Sequence, residues 1–158
     1  MDARLDYFTS ATAGKALKHV TAAGRAVKES PLPAATQELV ALRVSQLNGC
    51  AVCIDIHTKE AAAAGETPVR THLVAAWREA TVFTEAERAA LRLAEEGTRI
   101  ADAADGVSDD AWAQAARHYD EEQLTALALL ISFMNMVNRL NVIARRPSDG
   151  DYRAGQFN

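Results

Sequence analysis

Two cysteines in 158 residues are too few for a disulfide-built scaffold, and with two residues between them they cannot staple distant parts of a fold. A basic surplus is also missing. Against 21 Asp and Glu stand 17 Lys and Arg, giving a formal net charge of −4 and a pI near 5.6, so the electrostatic footprint of a nucleic-acid binder is absent. No nucleic acid is expected as a partner. With 8 Gly and 4 Pro the chain is neither collagenous nor loop-dominated, and a 49% hydrophobic, 24% charged composition excludes disorder. Aromatics reach only 6% and β-branched residues are sparse, whereas alanine is abundant, a balance that favours closely packed helices. The fold class predicted is all-α, in one domain spanning 1–158.

Neither an apolar segment nor a small-residue cleavage site follows Met1-Asp2-Ala3-Arg4, so the expectation is a cytoplasmic protein without a secretory signal. The longest apolar stretch, Leu124 to Val142, contains Ser132, Asn135, Asn138 and Arg139. Its uninterrupted runs are too short for a bilayer, which predicts a core helix and no membrane.

Apolar Leu17, Val20, Ala23 and Val27 recur at helical spacing and predict a helix over 11–28. Ser30-Pro31-Leu32-Pro33 breaks it, and a second helix is expected from Pro33 to the turn-forming Asn48-Gly49. A third runs from Cys50 to about Ala64, stopped by Gly65. Thr67-Pro68 opens a shorter helix to about Ala80, and Thr84 with Glu87 has capping-box spacing for one over 85–96. Ser108 caps a short helix to about His118, and Asp120 with Gln123 caps the longest, 121–144. That last helix is apolar nearly all round to Met136, which implies neighbours on several sides or a subunit interface. The tail from Ser148 lacks periodicity and is expected as a loop or frayed end. His19, His72 and His118 match no ligand spacing and are expected on the surface, and Trp77 and Trp112 are expected in the core.

The stretch Cys50-Ala51-Val52-Cys53-Ile54-Asp55-Ile56-His57 carries chemistry. At about 100° per residue both thiols and the imidazole fall within about 60° of one another. Residues three and four apart have Cβ atoms roughly 5 to 6 Å apart, so Cys53 can meet both Cys50 and His57. At a helix start the unpaired N–H groups lower the thiol pKa of Cys50, while His57 can take the proton of Cys53. A thiolate that attacks an electrophilic oxygen becomes a sulfenic acid, and a second cysteine within reach condenses with it to a disulfide. Glu38 is flanked at helical spacing by Ala34, Ala35, Ala41 and Leu42, and a carboxylate on so apolar a face, with its pKa raised by burial, suits proton exchange.

Glu38, Cys50-x-x-Cys53 and His57, spaced Glu-x11-Cys-x2-Cys-x3-His, resemble the alkylhydroperoxidase D-like members of the carboxymuconolactone decarboxylase superfamily. The resemblance extends to Leu39 through Gly49 before the pair, Trp77-Arg78-Glu79 and Phe83 to Arg88 after it, and Asn138-Arg139, covering about 30–145. It implies an all-helical bundle of the alkylhydroperoxidase D-like type, assembled as a homo-oligomer (dimer, trimer or hexamer). It also implies a thiol-dependent peroxidase that reduces organic or hydrogen peroxides and is reopened by a dithiol or protein reductant, with no metal or flavin cofactor. Glu38, Cys50, Cys53 and His57 then form a proton relay in which Cys53 attacks and Cys50 resolves. Relatives often carry His or Tyr before the second cysteine; Val52 stands there in this chain.

Rival readings of the same residues are two small buried hydrophobes, a zinc site of Cys50, Cys53, His57 and Glu38, a lyase acting on a lactone acid, and a redox sensor whose disulfide switches partner binding. Zinc is disfavoured because three ligands along one helix strain a tetrahedron. The lyase makes the cysteine pair unnecessary.

Overall fold

Helix starts follow the caps written into the sequence. In the computed structural model, which describes residues 2–156, the order is α1 (Ala11–Lys28), α2 (Ala34–Asn48), α3 (Ala51–Ala63), α4 (Pro68–Leu73), α5 (Glu85–Thr98), α6 (Asp109–Ala116) and α7 (Glu121–Ala144). Short 3-10 turns occupy Tyr7–Thr9, Val74–Ala76 and Ile100–Asp102, and no strand occurs among the described residues. The hydroxyls of Ser10, Thr67, Thr84 and Ser108 each accept a first-turn N–H, and Thr84/Glu87 and Asp120/Gln123 close full capping boxes.

Some boundaries move for local reasons. Pro33 is the N-cap of α2 rather than its first residue, and Cys50 likewise caps α3 from extended backbone. The helix expected to reach Ala80 tightens into the 3-10 turn at Val74, and Arg88 reaches back to the carbonyls of Trp77, Arg78 and Ala80 to hold the irregular turn that follows. The end of α2 is fixed by Gly49 at φ 67°, where a side chain would be strained. The Cys50 N–H bonds Ser45 O at 3.0 Å and the Gly49 N–H bonds Gln46 O at 3.3 Å, a Schellman turn that places Cys50 directly beyond the helix.

α2 lies between two apolar clusters. Val40, Ala41 and Val44 pack with Leu93, Leu127 and Ile131 of α5 and α7, while Leu39 and Leu42 pack with Val74, Trp77, Phe83 and Leu91. A helix buried on both sides needs no single apolar stripe, and the apolar residues of α2 are accordingly spread over more than one face. Trp77 is core as expected. Trp112 is not: it is 46% exposed, because the short α6 turns Ala111 and Ala115 inward and leaves the indole on its outer face. His19, His72 and His118 are exposed.

α7 buries one side, with Leu127, Leu130, Ile131 and Met134 inward and Leu129, Met136 and Ile143 outward. By length and apolarity it could cross a membrane, with a mean hydropathy of 1.5 over its most apolar stretch, contrary to the run-length argument. Its asparagines nevertheless point into protein. Asn135 and Asn138 each accept from the Asn48 amide, at 3.0 and 3.1 Å, and Asn138 donates to Ser45 Oγ at 3.2 Å. These bonds tie α7 to the end of α2, immediately before Cys50.

Candidate functional site

The α2 end turn aims α3 back along α2, so that residues nineteen apart in sequence meet. Glu38 Oε2 lies 2.9 Å from His57 Nδ1, with both side chains 19% exposed. The structure pairs Glu38, whose neighbours along α2 are apolar, with the imidazole across the α2–α3 contact. Cys50 and Cys53 form a disulfide with a Cα separation of 5.3 Å, the reach of an N-cap and the third residue of one helical turn. Among the described residues no three His, Cys, Asp or Glu side chains are grouped to hold a metal.

The two cysteines are not equivalent. Cys53 lines a cavity of about 760 Å³, together with Glu38 and His57; Cys50 is not in its wall and is 1% exposed. Volumes of roughly 300–1,000 Å³ suit small organic ligands. Apolar side chains of α1 and α7 supply much of the rest of the wall, among them Leu17, Val20, Leu130, Phe133 and Val137. α1 approaches α7 closely at Gly24, where a Cβ would meet the Phe133 ring at 2.8 Å. The cavity therefore depends on a helix that sequence reading placed outside the motif.

Three further groups escaped that reading. Asn141 Nδ2 donates to Cys53 Sγ at 3.3 Å, and Tyr7 OH donates to Asn141 Oδ1 at 2.6 Å. Arg146 Nη1 lies 3.4 Å from the Tyr7 hydroxyl and its guanidinium stacks on Phe8 at 4.8 Å. The signal available was the three-residue repeat of Asn135, Asn138 and Asn141 on an apolar helix, of which the first two were noted. Tyr7 had none, because its position depends on Arg4 N–H bonding Ala144 O at 2.8 Å across 140 residues of chain.

The tail from Ser148, expected as a loop or frayed end, is a loop fastened to α3. Lys59 donates to Gly150 O, and Glu60 Oε1 accepts from Tyr152 OH and from Gly155 N–H, the latter at 2.8 Å. Burial pushes Glu60 up, but the Tyr152 and Gly155 bonds and the charges of Lys28 and His57 outweigh it and hold the carboxyl below its usual range. Tyr152 is raised, by burial first and then by its bond to Glu60. Both side chains line the cavity.

A helical bundle that presents a Cys-x-x-Cys disulfide at a helix start, beside a Glu–His pair and an apolar cavity, defines the alkylhydroperoxidase D-like class of fold. Residues 13–96 match the carboxymuconolactone decarboxylase family, and the chain belongs to that family. YdfG of Bacillus subtilis (strain 168), named only as an uncharacterized protein, is 38% identical over 142 residues, covering 90% of this chain and 94% of its own. The crystal structure of ATU0492 from Agrobacterium tumefaciens, a protein of unknown function linked to antioxidant defence and to AhpD, superposes with a TM-score of 0.86 at 34% identity, covering 92% of this chain and 97% of that one. A peroxidase-related protein from Ralstonia eutropha JMP134 shares the fold at a TM-score of 0.72 and 20% identity, over 86% of this chain and 72% of that one.

Proposed function

We propose that the protein is a thiol-dependent peroxidase cycling between the Cys50/Cys53 dithiol and the disulfide. The observation that carries the reading is that Cys53 alone of the pair faces the cavity, beside the Glu38–His57 pair. The Cys53 thiolate attacks the terminal oxygen of ROOH; the O–O bond breaks, and Cys53 is oxidised to a sulfenic acid as the alkoxide leaves as ROH. His57, oriented by Glu38, takes the thiol proton and returns it to the alkoxide. Cys50 then attacks the Cys53 sulfur, the S–O bond breaks, water leaves and the S–S bond forms. An external dithiol or protein reductant restores the pair by exchange. Each turnover converts ROOH and two thiols to ROH, water and one disulfide.

The apolar wall supports organic hydroperoxides over hydrogen peroxide, because only the former gain binding energy from burying carbon. The antioxidant link of ATU0492 supports a peroxide-reducing role. A cytoplasmic setting belongs to it, since the cycle needs a reducing thiol pool. Homo-oligomeric assembly also belongs to it, supported by the outward Leu129, Met136 and Ile143 of α7.

Thiol counting and mass measurement after one equivalent of cumene hydroperoxide test the cycle. Two thiols should be lost with a fall of about 2 Da, reversed by a dithiol. Cys53→Ser should abolish turnover, and Cys50→Ser should arrest the chemistry as a sulfenic acid at Cys53. Full activity in Cys53→Ser overturns the assignment; turnover of a lactone acid that survives both substitutions assigns the lyase instead. Stoichiometric oxidation without turnover in the presence of a competent reductant assigns a sensor.

A further inference from the structure

Outside the Glu38–His57 pair, one chain of hydrogen bonds ends on the reacting sulfur, and its direction is fixed by chemistry. A guanidinium can only donate, so at 3.4 Å the Tyr7 oxygen accepts from Arg146 and the phenolic hydrogen is left for Asn141 Oδ1, 2.6 Å away. The carboxamide oxygen is thereby committed to Tyr7, and the NH2 group must face Cys53 Sγ at 3.3 Å. Asn141, Tyr7 and Cys53 are all buried, at 4%, 7% and 2% exposure, where a hydrogen bond is stronger than in open water.

We infer that Asn141 is a further catalytic residue, an N–H donor that stabilises the Cys53 thiolate, and that Tyr7 and Arg146 are positioning residues that hold its amide in the donating orientation. The inference rests on Cys53 being the reacting sulfur. A donor aimed at the charged form of a thiol favours that form and lowers its pKa. The 3.3 Å contact is made to the sulfur of the disulfide, so the amide already stands beside Cys53 when reduction opens the S–S bond and can serve the thiolate and then the sulfenate. All three residues lie outside the stretch 13–96 that matches the family, and two of them sit at opposite ends of the chain.

They reach the site by two local devices. Arg145 adopts φ 53°, and the Arg146 N–H bonds Asn141 O at 2.9 Å, which folds the chain back so that the Arg146 side chain covers Tyr7. Asp6 caps the 3-10 turn that presents Tyr7 by accepting the Phe8 N–H at 3.0 Å.

Other ionisable groups share the cavity with Cys53: Glu38, His57 and Glu60 on the side of α2 and α3, and Tyr152 from the tail. α1 adds Arg25 and Lys28, with Glu29 just beyond it. The variants leave every one of these in place, so a change in titration reads the donor chain.

The test is the pH profile of Cys53 alkylation by iodoacetamide in a Cys50→Ser background, with thiolate ultraviolet absorbance as a second readout. Asn141→Leu should raise the thiol pKa by about one unit or more, a roughly tenfold loss of thiolate at neutral pH. Tyr7→Phe, which removes a single oxygen, should raise it less, and the double variant should match Asn141→Leu alone, because Tyr7 acts only through Asn141. Should the leucine variant fail to fold, Tyr7→Phe carries the test by itself. An unchanged profile in Tyr7→Phe, or shifts that add in full in the double variant, overturns the inference. A thiol whose pKa responds to Asn141 but which ignores peroxide upholds the donor and fails the peroxidase reading.

Discussion

Glu95 offers the most direct test of what holds the site-bearing helix in place. Its carboxylate, 5% exposed, accepts from Arg43 of α2 at 2.7 Å and from the Trp77 indole at 2.9 Å, and it also bonds Arg78. Glu95→Ala strands the Arg43 guanidinium, whose side chain is 13% exposed, and leaves the buried Trp77 N–H without an acceptor. A charged hydrogen bond is worth about 1.5–3 kcal/mol and an orphaned buried donor costs about 1–3. Arg78 is more than half exposed and its share is discounted to near zero. The expected loss is about 3–5 kcal/mol, in the range for breaking one partner out of a buried pair. For a chain of this size that lowers Tm by roughly 6 to 20 °C. Burial raises the Glu95 carboxyl, but the Trp77, Arg78 and Arg43 bonds outweigh it, so its folded pKa is depressed. A depressed carboxylate stabilises fully above its unfolded value and loses that contribution as pH falls through the folded one. The wild type should therefore lose stability below about pH 5 more steeply than Glu95→Ala. Urea unfolding at pH 7 and pH 4 measures both quantities. A loss under 1 kcal/mol at pH 7, or parallel pH dependence in the two proteins, would refute the reasoning.

The other predictions are narrower. Glu38→Gln keeps the shape of the Glu38–His57 contact but removes its charge; general acid–base assistance of this kind is worth about 10²–10⁴-fold, so peroxide turnover should fall by at least tenfold with the fold intact, and an unchanged rate removes Glu38 from the relay. Arg145→Gly relieves the only positive φ outside glycine among the described residues and should stabilise by about 0.5–1 kcal/mol in urea melts; destabilisation would mean the guanidinium itself makes contacts that outweigh its backbone. Light scattering should give a mass above that of one 17.0 kDa chain, and Ile143→Lys, placing charge on the 65% exposed α7 residue, should reduce it; a monomeric wild type removes assembly from the reading.

Local chemistry made much of this legible in advance. Thr67, Thr84, Ser108 and Asp120 mark helix starts because each side chain satisfies an N–H in its own first turn, a relation complete within four residues. Cys50, Cys53 and His57 share a face for the same reason, and Glu38 was reached through its helical neighbours. What failed to show depends on distance in sequence. Trp112 is as apolar as Trp77, and only the packing of Ala111 and Ala115 decides which face of α6 turns inward. The tail reads as structureless because the bonds that fasten it to the fold go to Glu60 and Lys59, some ninety residues away, and leave no periodic pattern in its own sequence. Tyr7 carries no periodic signal at all.

The division between the legible and the hidden parts also separates two chemical tasks. In the proposed cycle a Glu–His pair placed on adjacent helices moves protons, and it is encoded in one continuous stretch around the cysteines. In that cycle the acidity of the attacking thiol is assigned to different atoms: an amide on the last helix, oriented by a phenol near one end of the chain and a guanidinium near the other. Proton transfer works best when the donor and acceptor pKa values lie near the operating pH, so both tasks must be tuned to the same value. Changes at residues 7, 141 or 146 can retune the sulfur without disturbing the pair that exchanges its proton. The consequence for kinetics is specific: Glu38→Gln should lower the rate across the whole pH range, whereas Tyr7→Phe should shift the profile toward alkaline pH and leave its plateau nearly intact.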